Sequence, residues 1–230
     1  MAKYHELHEK GISEELGLDI IVCNIPHLGK GLLCSFVWAS EDLAKGQEMI
    51  DKLSDVAPVA MNMVEATTPV GWLRAQQQNV PPPGCYANAG YMSFTTKRLD
   101  EDVRGLLVKY TQQLPANPAT LWFEHRIHGA ACKPSLPSCF AYREPHVMIE
   151  VLGTSATKEA ADASAAWERS FHEEGRRLPQ TDEGGYVPLV SSEVSMEACY
   201  KGHWDRLQKL KARVDPDNVF RHSLTGLGEP

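Results

Sequence analysis

The period of apolar and polar positions changes several times along the chain, and each change predicts an element. Lys3 to Leu16 mixes charged helix formers with leucines and ends at Gly17, which predicts a peripheral helix with a glycine stop. "LDIIVCNI" and "GLLCSFVWA" flank "PHLGKG", two β-rich runs around a short glycine-containing loop, which predicts an antiparallel hairpin ending at Trp38. From Ser40 the spacing turns helical, with Ser40 as N-cap and Leu43, Met49, Ile50 and Leu53 as the apolar stripe. Ala57 to Asn79 is mixed, and "VPPPG" reads as a stiff connector.

Strand and helix patterns then alternate. "CYANAGYMSFTT" is strand-like, and "LDEDVRGLLVKYTQQL" is a helix with acids at its start. "ATLWFEHRIHGAA" and "CFAYREPHVMIEVLG" are two further strands, and "TKEAADASAAWERSFHEEGRRL" is an alanine-rich helix whose small residues suit close packing on a sheet. Cys199, His203, Leu207, Leu210 and Val214 recur at helical spacing before Pro216, which predicts a closing amphipathic helix. The expected fold is α+β: one domain over residues 1–230, an antiparallel β-sheet covered on one face by α-helices, its other face open to ligand or partner.

Strand periodicity nominates candidate chemistry. In "TLWFEHRIHG" Leu121, Phe123, His125 and Ile127 share one side, expected to be core, and Trp122, Glu124, Arg126 and His128 share the other. In the next strand Val147, Ile149 and Val151 belong against the helices, leaving Phe140, Tyr142, Glu144, His146, Met148 and Glu150 opposite unless Pro145 introduces a bulge. If the strands are neighbours, Glu124, Arg126, His128, Tyr142, Glu144 and His146 form a set suited to proton transfer, with Trp122, Phe140, Met148 and Tyr91 as substrate contacts. The plainer alternative is a solvated sheet face with Glu124 and Arg126 as an ion pair. His125 reads as a structural core histidine.

Composition narrows the classes. A net charge of -7 with a pI near 5.7 argues against a nucleic-acid partner, and the densest basic run, "RLQKLKAR", is interleaved with apolar residues at helical spacing and reads as the solvated face of a helix. Six cysteines stand without a C-x-x-C pair, the amino terminus is polar, and no apolar run reaches bilayer length, so a cytoplasmic protein with reduced thiols and no membrane partner is expected. Glu168 and His172 lie four apart on a helix, but without a third ligand they read as an ordinary exposed pair rather than a metal site. "HLGKG" has no helix after it to cradle phosphate, and no G-x-S-x-G occurs.

The wording of the ending is more specific than its periodicity. Tyr200, Gly202, Trp204, Arg206-Leu207, Lys211 and the "DPDNVF" of Asp215 to Phe220 resemble the carboxyl-terminal signature of berberine bridge enzyme-like FAD-linked oxidoreductases. "HGAA" at 128–131, "FAYRE" at 140–144, Trp167 and "GGYV" at 184–187 follow the order of that family's substrate domain, so the resemblance runs from about Asp19 onward and ends in the segment 196–222. Pro188 and Leu189 stand where the family continues with an asparagine-containing stretch.

The resemblance implies a substrate domain without a counterpart of the family's FAD-binding domain, hence no cofactor of its own unless FAD comes through a partner chain. It implies an enzyme of natural-product biosynthesis acting on a small molecule by flavin-independent isomerisation, dehydration or cyclisation. The alternative is a subunit that docks on a separate flavin-domain polypeptide. A homodimer is expected, covering the surface that a flavin domain meets in the family.

Overall fold

The computed structural model describes residues 2–9, 11–25, 27–77, 86–87, 92–117, 119–133, 137–155 and 157–222. The chain divides into two compact units, residues 1–17 with 36–85 and residues 18–35 with 86–230.

In the first unit helix α1 (Ala2–Glu9) is shorter than its composition suggests. Gly11 takes a φ of +89°, a conformation that glycine enters without strain, and Leu16 already belongs to a strand. Helix α2 (Leu43–Ser54) starts two residues later than expected because Asp42, not Ser40, accepts from the Lys45 amide at 3.1 Å. Ser40 instead accepts from the Asp42 amide. Helix α3 (Pro69–Gln77) opens on its proline, which needs no donor in the first turn.

The sheet is assembled from β1 (Leu16–Ile25), β2 (Gly29–Trp38), β3 (Tyr86–Ala87), β4 (Met92–Thr96), β5 (Thr120–Ile127) and β6 (His146–Ser155). Its order is β2-β1-β5-β6-β3, with β4 also pairing β6, and the β1–β5, β5–β6, β3–β6 and β4–β6 ladders are antiparallel. The β1–β2 hairpin forms as expected, its turn held by His27 and Gly29 at positive φ.

Helices α4 (Glu101–Gln112) and α5 (Lys158–Arg176) supply the helical layer, each capped by a side-chain oxygen, Asp100 and Thr157. Phe171 of α5 centres the core: it stacks on Tyr110 at 4.5 Å and meets Phe94 and Trp122 edge-on at 5.9 and 6.3 Å. Buried indoles must satisfy their N–H, and Trp167 donates to the Tyr110 carbonyl and Trp122 to the Thr111 hydroxyl. At Gly175 a side chain would collide with the Phe94 ring, so helix and strand approach there at hydrogen's width.

Register assigns the faces. Trp122, Glu124 and Arg126 lie opposite Val151, Ile149 and Val147, and Phe94 lies opposite Ile149, so all of these face the helices. Val147, Ile149 and Val151 stand where their pattern puts them. The β5 expectation is inverted: Leu121, Phe123, His125 and Ile127 occupy the face away from α5, together with Asp19, Ser93, His146, Met148 and Glu150. The physical reason is the Trp122 indole, whose volume and Thr111 bond fit the helical layer, while Glu124 is carried inward as the ion-pair partner of Arg126.

Two further expectations change. Residues 137–145 are not strand, since β6 begins only after Pro145, so Phe140, Tyr142 and Glu144 follow no alternation. The closing helix is broken into α6 (Met196–Tyr200) and α7 (Trp204–Val214) by a tight turn at Lys201, whose φ is +49°. Cys199 is buried on α6, but Leu210 and Val214 of the stripe are exposed.

Candidate functional site

The structure does not gather the nominated residues into one site. Trp122, Glu124 and Arg126 lie beneath the helices, where Arg126 Nε donates to Glu124 Oε1 at 2.7 Å and the Glu124 side chain is 0 % exposed. Glu168 and His172, read as an exposed pair, are buried on α5, and burial lowers the His172 pKa. Phe140, Tyr142 and His146 gather in a second cluster, and Met148 lies on the sheet face away from α5. His128 follows β5 at the start of a short 3-10 turn, and Glu144 is exposed. Tyr91 lies outside the described residues. No group of three or more His, Cys, Asp or Glu able to hold a metal occurs among the described residues.

On the face away from α5, His125 bridges three strands. Its Nδ1 donates to Asp19 Oδ1 of β1 at 2.8 Å and its Nε2 to Glu150 Oε2 of β6 at 2.9 Å. Burial opposes the charged ring, but both carboxylates favour it and together lift its pKa to about 9. Phe123 stacks on the imidazole at 5.2 Å. None of the three polar residues was among the nominated catalytic set. The available signal was a lone acid inside an apolar strand, Asp19 in "LDIIVCNI" and Glu150 in "VMIEVLG".

The second cluster joins this face through His146 at the start of β6. Its Nδ1 lies 2.7 Å from the Glu144 carbonyl, which only accepts, so the hydrogen sits on Nδ1 and the Nε2 lone pair is left for a proton. Burial lowers the His146 pKa, as does nearby Lys201, and keeps the ring neutral. The His146 ring meets Tyr142 edge-on at 5.6 Å, and Lys201 Nζ stands 4.1 Å from the centre of the same phenol ring.

Asp182 organises the cluster. It accepts from the Tyr142 hydroxyl at 3.0 Å, from Lys201 Nζ at 2.7 Å and from the Gly184 amide at 3.1 Å. These bonds outweigh its burial and hold its pKa down, while burial and the Asp182 charge raise that of Tyr142. Gly184 fits between the Ala198 carbonyl and the Tyr142 hydroxyl, where no side chain has room. Alongside lies a cavity of about 370 Å³ lined by Lys97, Gln180, Thr181, Asp182, Glu183 and Lys201, among others. Sequence reading found Tyr142 and His146 but not Asp182 or Lys201, which reach the site through loop contacts without periodicity.

Known proteins resemble this chain in part. Residues 179–225 match the family described as "Berberine and berberine like". The chain is 23% identical over 197 residues to the FAD-linked oxidoreductase aurO of Gibberella zeae, covering 84% of this chain and 38% of that protein. It is 31% identical over 110 residues to the aclacinomycin-N/aclacinomycin-A oxidase of Streptomyces galilaeus, covering 40% of this chain and 20% of that one. The fold is shared with Physcomitrella patens BBE-like 1 at a TM-score of 0.68 and 13% identity, over 94% of this chain and 48% of that one. The chain thus spans half or less of the length of these relatives, and the match falls on their C-terminal, substrate-binding part.

The FAD of such relatives needs a cradle for its pyrophosphate, usually free amides at a helix N-terminus. In this chain the starts of α2 to α6 are occupied by capping oxygens from Asp42, Thr68, Asp100, Thr157 and Ser195. Acids stand in the first turn of α4, α5, α6 and α7 and repel phosphate. The starts of α2 to α7 therefore do not fit the pyrophosphate of FAD.

Proposed function

We propose, from a chain that carries the C-terminal, substrate-domain part of the berberine bridge enzyme-like fold, that the His146–Tyr142–Lys201 cluster performs acid-base chemistry on a natural product. The observation that carries the reading is the pairing of a neutral, tautomer-fixed His146 with a cationic Lys201 against one phenol ring. Opposed protonation states in one site are what proton transfer requires.

In this reading His146 Nε2 removes a proton from a carbon next to a carbonyl, and the Lys201 ammonium stabilises the enolate oxygen that develops. The Tyr142 hydroxyl, held by Asp182, orients the substrate. His146 then returns the proton at a second position, or gives it to a β-hydroxyl that the enolate expels as water. Isomerisation and dehydration follow from the same groups, cyclisation from an enolate that meets an internal electrophile. General acid-base help of this kind contributes about 100- to 10,000-fold in rate.

The test is deuterium incorporation from heavy water into a panel of aromatic β-hydroxyketones, with no flavin added. Incorporation that His146→Gln abolishes is the expected result. Equal incorporation with His146→Gln, none at all, or a flavin absorption band in the purified protein overturns the reading.

A second reading rests on the lengths: the chain spans 38% of aurO and 48% of the moss protein. Here it supplies the substrate half to a flavin-bearing polypeptide. Co-purification of a flavoprotein that restores oxidase activity favours it.

A further inference from the structure

We infer that Asp182 is the positioning residue for Lys201: it holds the lysine in a backbone conformation that only glycine enters freely, and the strained turn fixes the ammonium over the Tyr142 ring. The task of that ammonium rests on the acid-base reading, whereas the strain rests on backbone geometry alone.

Lys201 has a φ of +49° and a ψ of -132°. This is not the left-handed helical basin, with ψ at about +47°, that asparagine and aspartate visit. It lies in the mirror image of the extended region, where a Cβ crowds the neighbouring peptide groups and glycine suffers no such clash. Local sequence does not call for it. No proline stands between Met196 and Val214. Gly202, one residue on, has open space where a side chain would go and does not take a positive φ. A turn made only to break the helix would place the glycine where the lysine is.

Such a conformation persists only where the surroundings over-determine it, and Lys201 is tied at both ends. Its N–H donates to the Glu197 carbonyl of α6, and its carbonyl accepts from the Trp204 N–H at the start of α7. Tyr200 and Trp204 stack across the turn at 6.1 Å. At the far end Nζ donates to Asp182 Oδ2 at 2.7 Å. The anchor is itself held, because Asp182 Oδ1 accepts from the Tyr142 hydroxyl and the Gly184 amide, and Gly184 fits against the Ala198 carbonyl of α6. The Lys201 side chain is 41 % exposed, so on its flexible four-carbon stem the ammonium would otherwise sample many rotamers. A lone exposed ion pair does little to stop that. Fixing backbone and head group together removes the freedom before substrate arrives, which is what a group that stabilises a developing oxyanion requires.

Thermal unfolding of the intact chain tests the strain. Lys201→Gly and Lys201→Ala both lose the ammonium, so their difference reads the backbone, and the glycine variant is expected to melt about 3 °C or more above the alanine variant. Equal midpoints, or alanine the higher, overturn the strain. Amide hydrogen exchange tests the anchor. Asp182→Asn keeps an acceptor for Tyr142 and Gly184 but drops the charge that Lys201 answers. Exchange at the Lys201 and Trp204 amides should quicken about tenfold, and the double variant Asp182→Asn/Lys201→Gly should restore protection at residues 201 and 204. Unchanged exchange means that the chain path alone sets the turn. Quickening that includes Gly184 and persists in the double variant means that Asp182 holds its own loop rather than the lysine. Either result overturns the inference. Asp182→Asn should also slow His146-dependent deuterium incorporation about tenfold, and an unchanged rate overturns the positioning role. Melting and exchange need no turnover, so their failure beside intact incorporation sinks this inference alone, and absence of incorporation in the unsubstituted chain removes the acid-base reading.

Discussion

His125 Nε2 and Glu150 Oε2 stand 2.9 Å apart on neighbouring strands, so the charge of the ring adds a side-chain tie between β5 and β6 to the ladder that joins them. The same ring holds Asp19 of β1 at 2.8 Å. A pKa raised in the folded state means that the native protein binds a proton the unfolded chain releases. The stabilisation is therefore complete below the unfolded value near 6.5 and is lost as pH rises through about 9. Discounting the exposed Asp19 end, the change is about 2 kcal/mol. Urea unfolding between about pH 6 and pH 9.5 should show this decline, and His125→Gln should flatten it. A wild-type curve already flat across that window contradicts the bridge.

Glu124 and Arg126, nominated from sequence as catalytic, sit under α5 and make a different prediction. Removing Glu124 takes the carboxylate from a guanidinium whose side chain is only 14 % exposed. Breaking a buried pair by deleting one partner costs about 3–5 kcal/mol. Glu124→Ala should therefore lose stability on that scale in denaturant unfolding. Unchanged stability would mean that solvent reaches the pair.

How far the sequence could be read follows from these same residues. Element types were legible wherever the pattern was long: the β1–β2 hairpin, α4 and α5 all carry caps and periodicity that local physics enforces. The face of β5 was not, because both of its alternating sets mix polar and apolar residues. The tie is broken by partners distant in sequence, Thr111 for Trp122 and Asp19 for His125. Pro145 hid the start of β6, and with it the fact that Tyr142 is placed by Asp182 rather than by a strand. The lone acids Asp19 and Glu150 could have been noticed, since a charge inside an apolar strand needs a counterpart.

Gly175 tests the packing of α5 on the sheet. In an open helix glycine to alanine gains up to about 1 kcal/mol from propensity. Here the new methyl would strike the Phe94 ring, which is fully buried against Phe171 and has nowhere to go. Overpacking of this kind costs about 1–3 kcal/mol, so Gly175→Ala should destabilise. A rise in the thermal midpoint would show that the Phe94 ring can rotate away.

The "DPDNVF" segment closes on a clasp rather than on a hydrophobic stop. Asp215 accepts from the Val219 amide at 2.8 Å, from the Phe220 amide at 3.1 Å and from Lys211 Nζ, while Lys211 also reaches the Phe220 carbonyl at 3.2 Å. Asn218 takes a φ of +47°, which asparagine tolerates better than most residues, and this turns the chain back on itself. The Lys211 bond, helped by the two amides, holds the Asp215 carboxyl below its usual range against a smaller burial effect. A depressed pKa stabilises above the unfolded value and is lost as pH falls through the folded one, so the clasp should open only in strong acid. Val219 and Phe220 are 64% and 78% exposed, so little besides the clasp orders them. Asp215→Ala should therefore accelerate amide hydrogen exchange at Val219 and Phe220 at neutral pH while leaving exchange in β5 and β6 unchanged. Faster exchange throughout the sheet would instead make Asp215 a residue on which the whole fold depends, and unchanged exchange at both amides would remove the clasp.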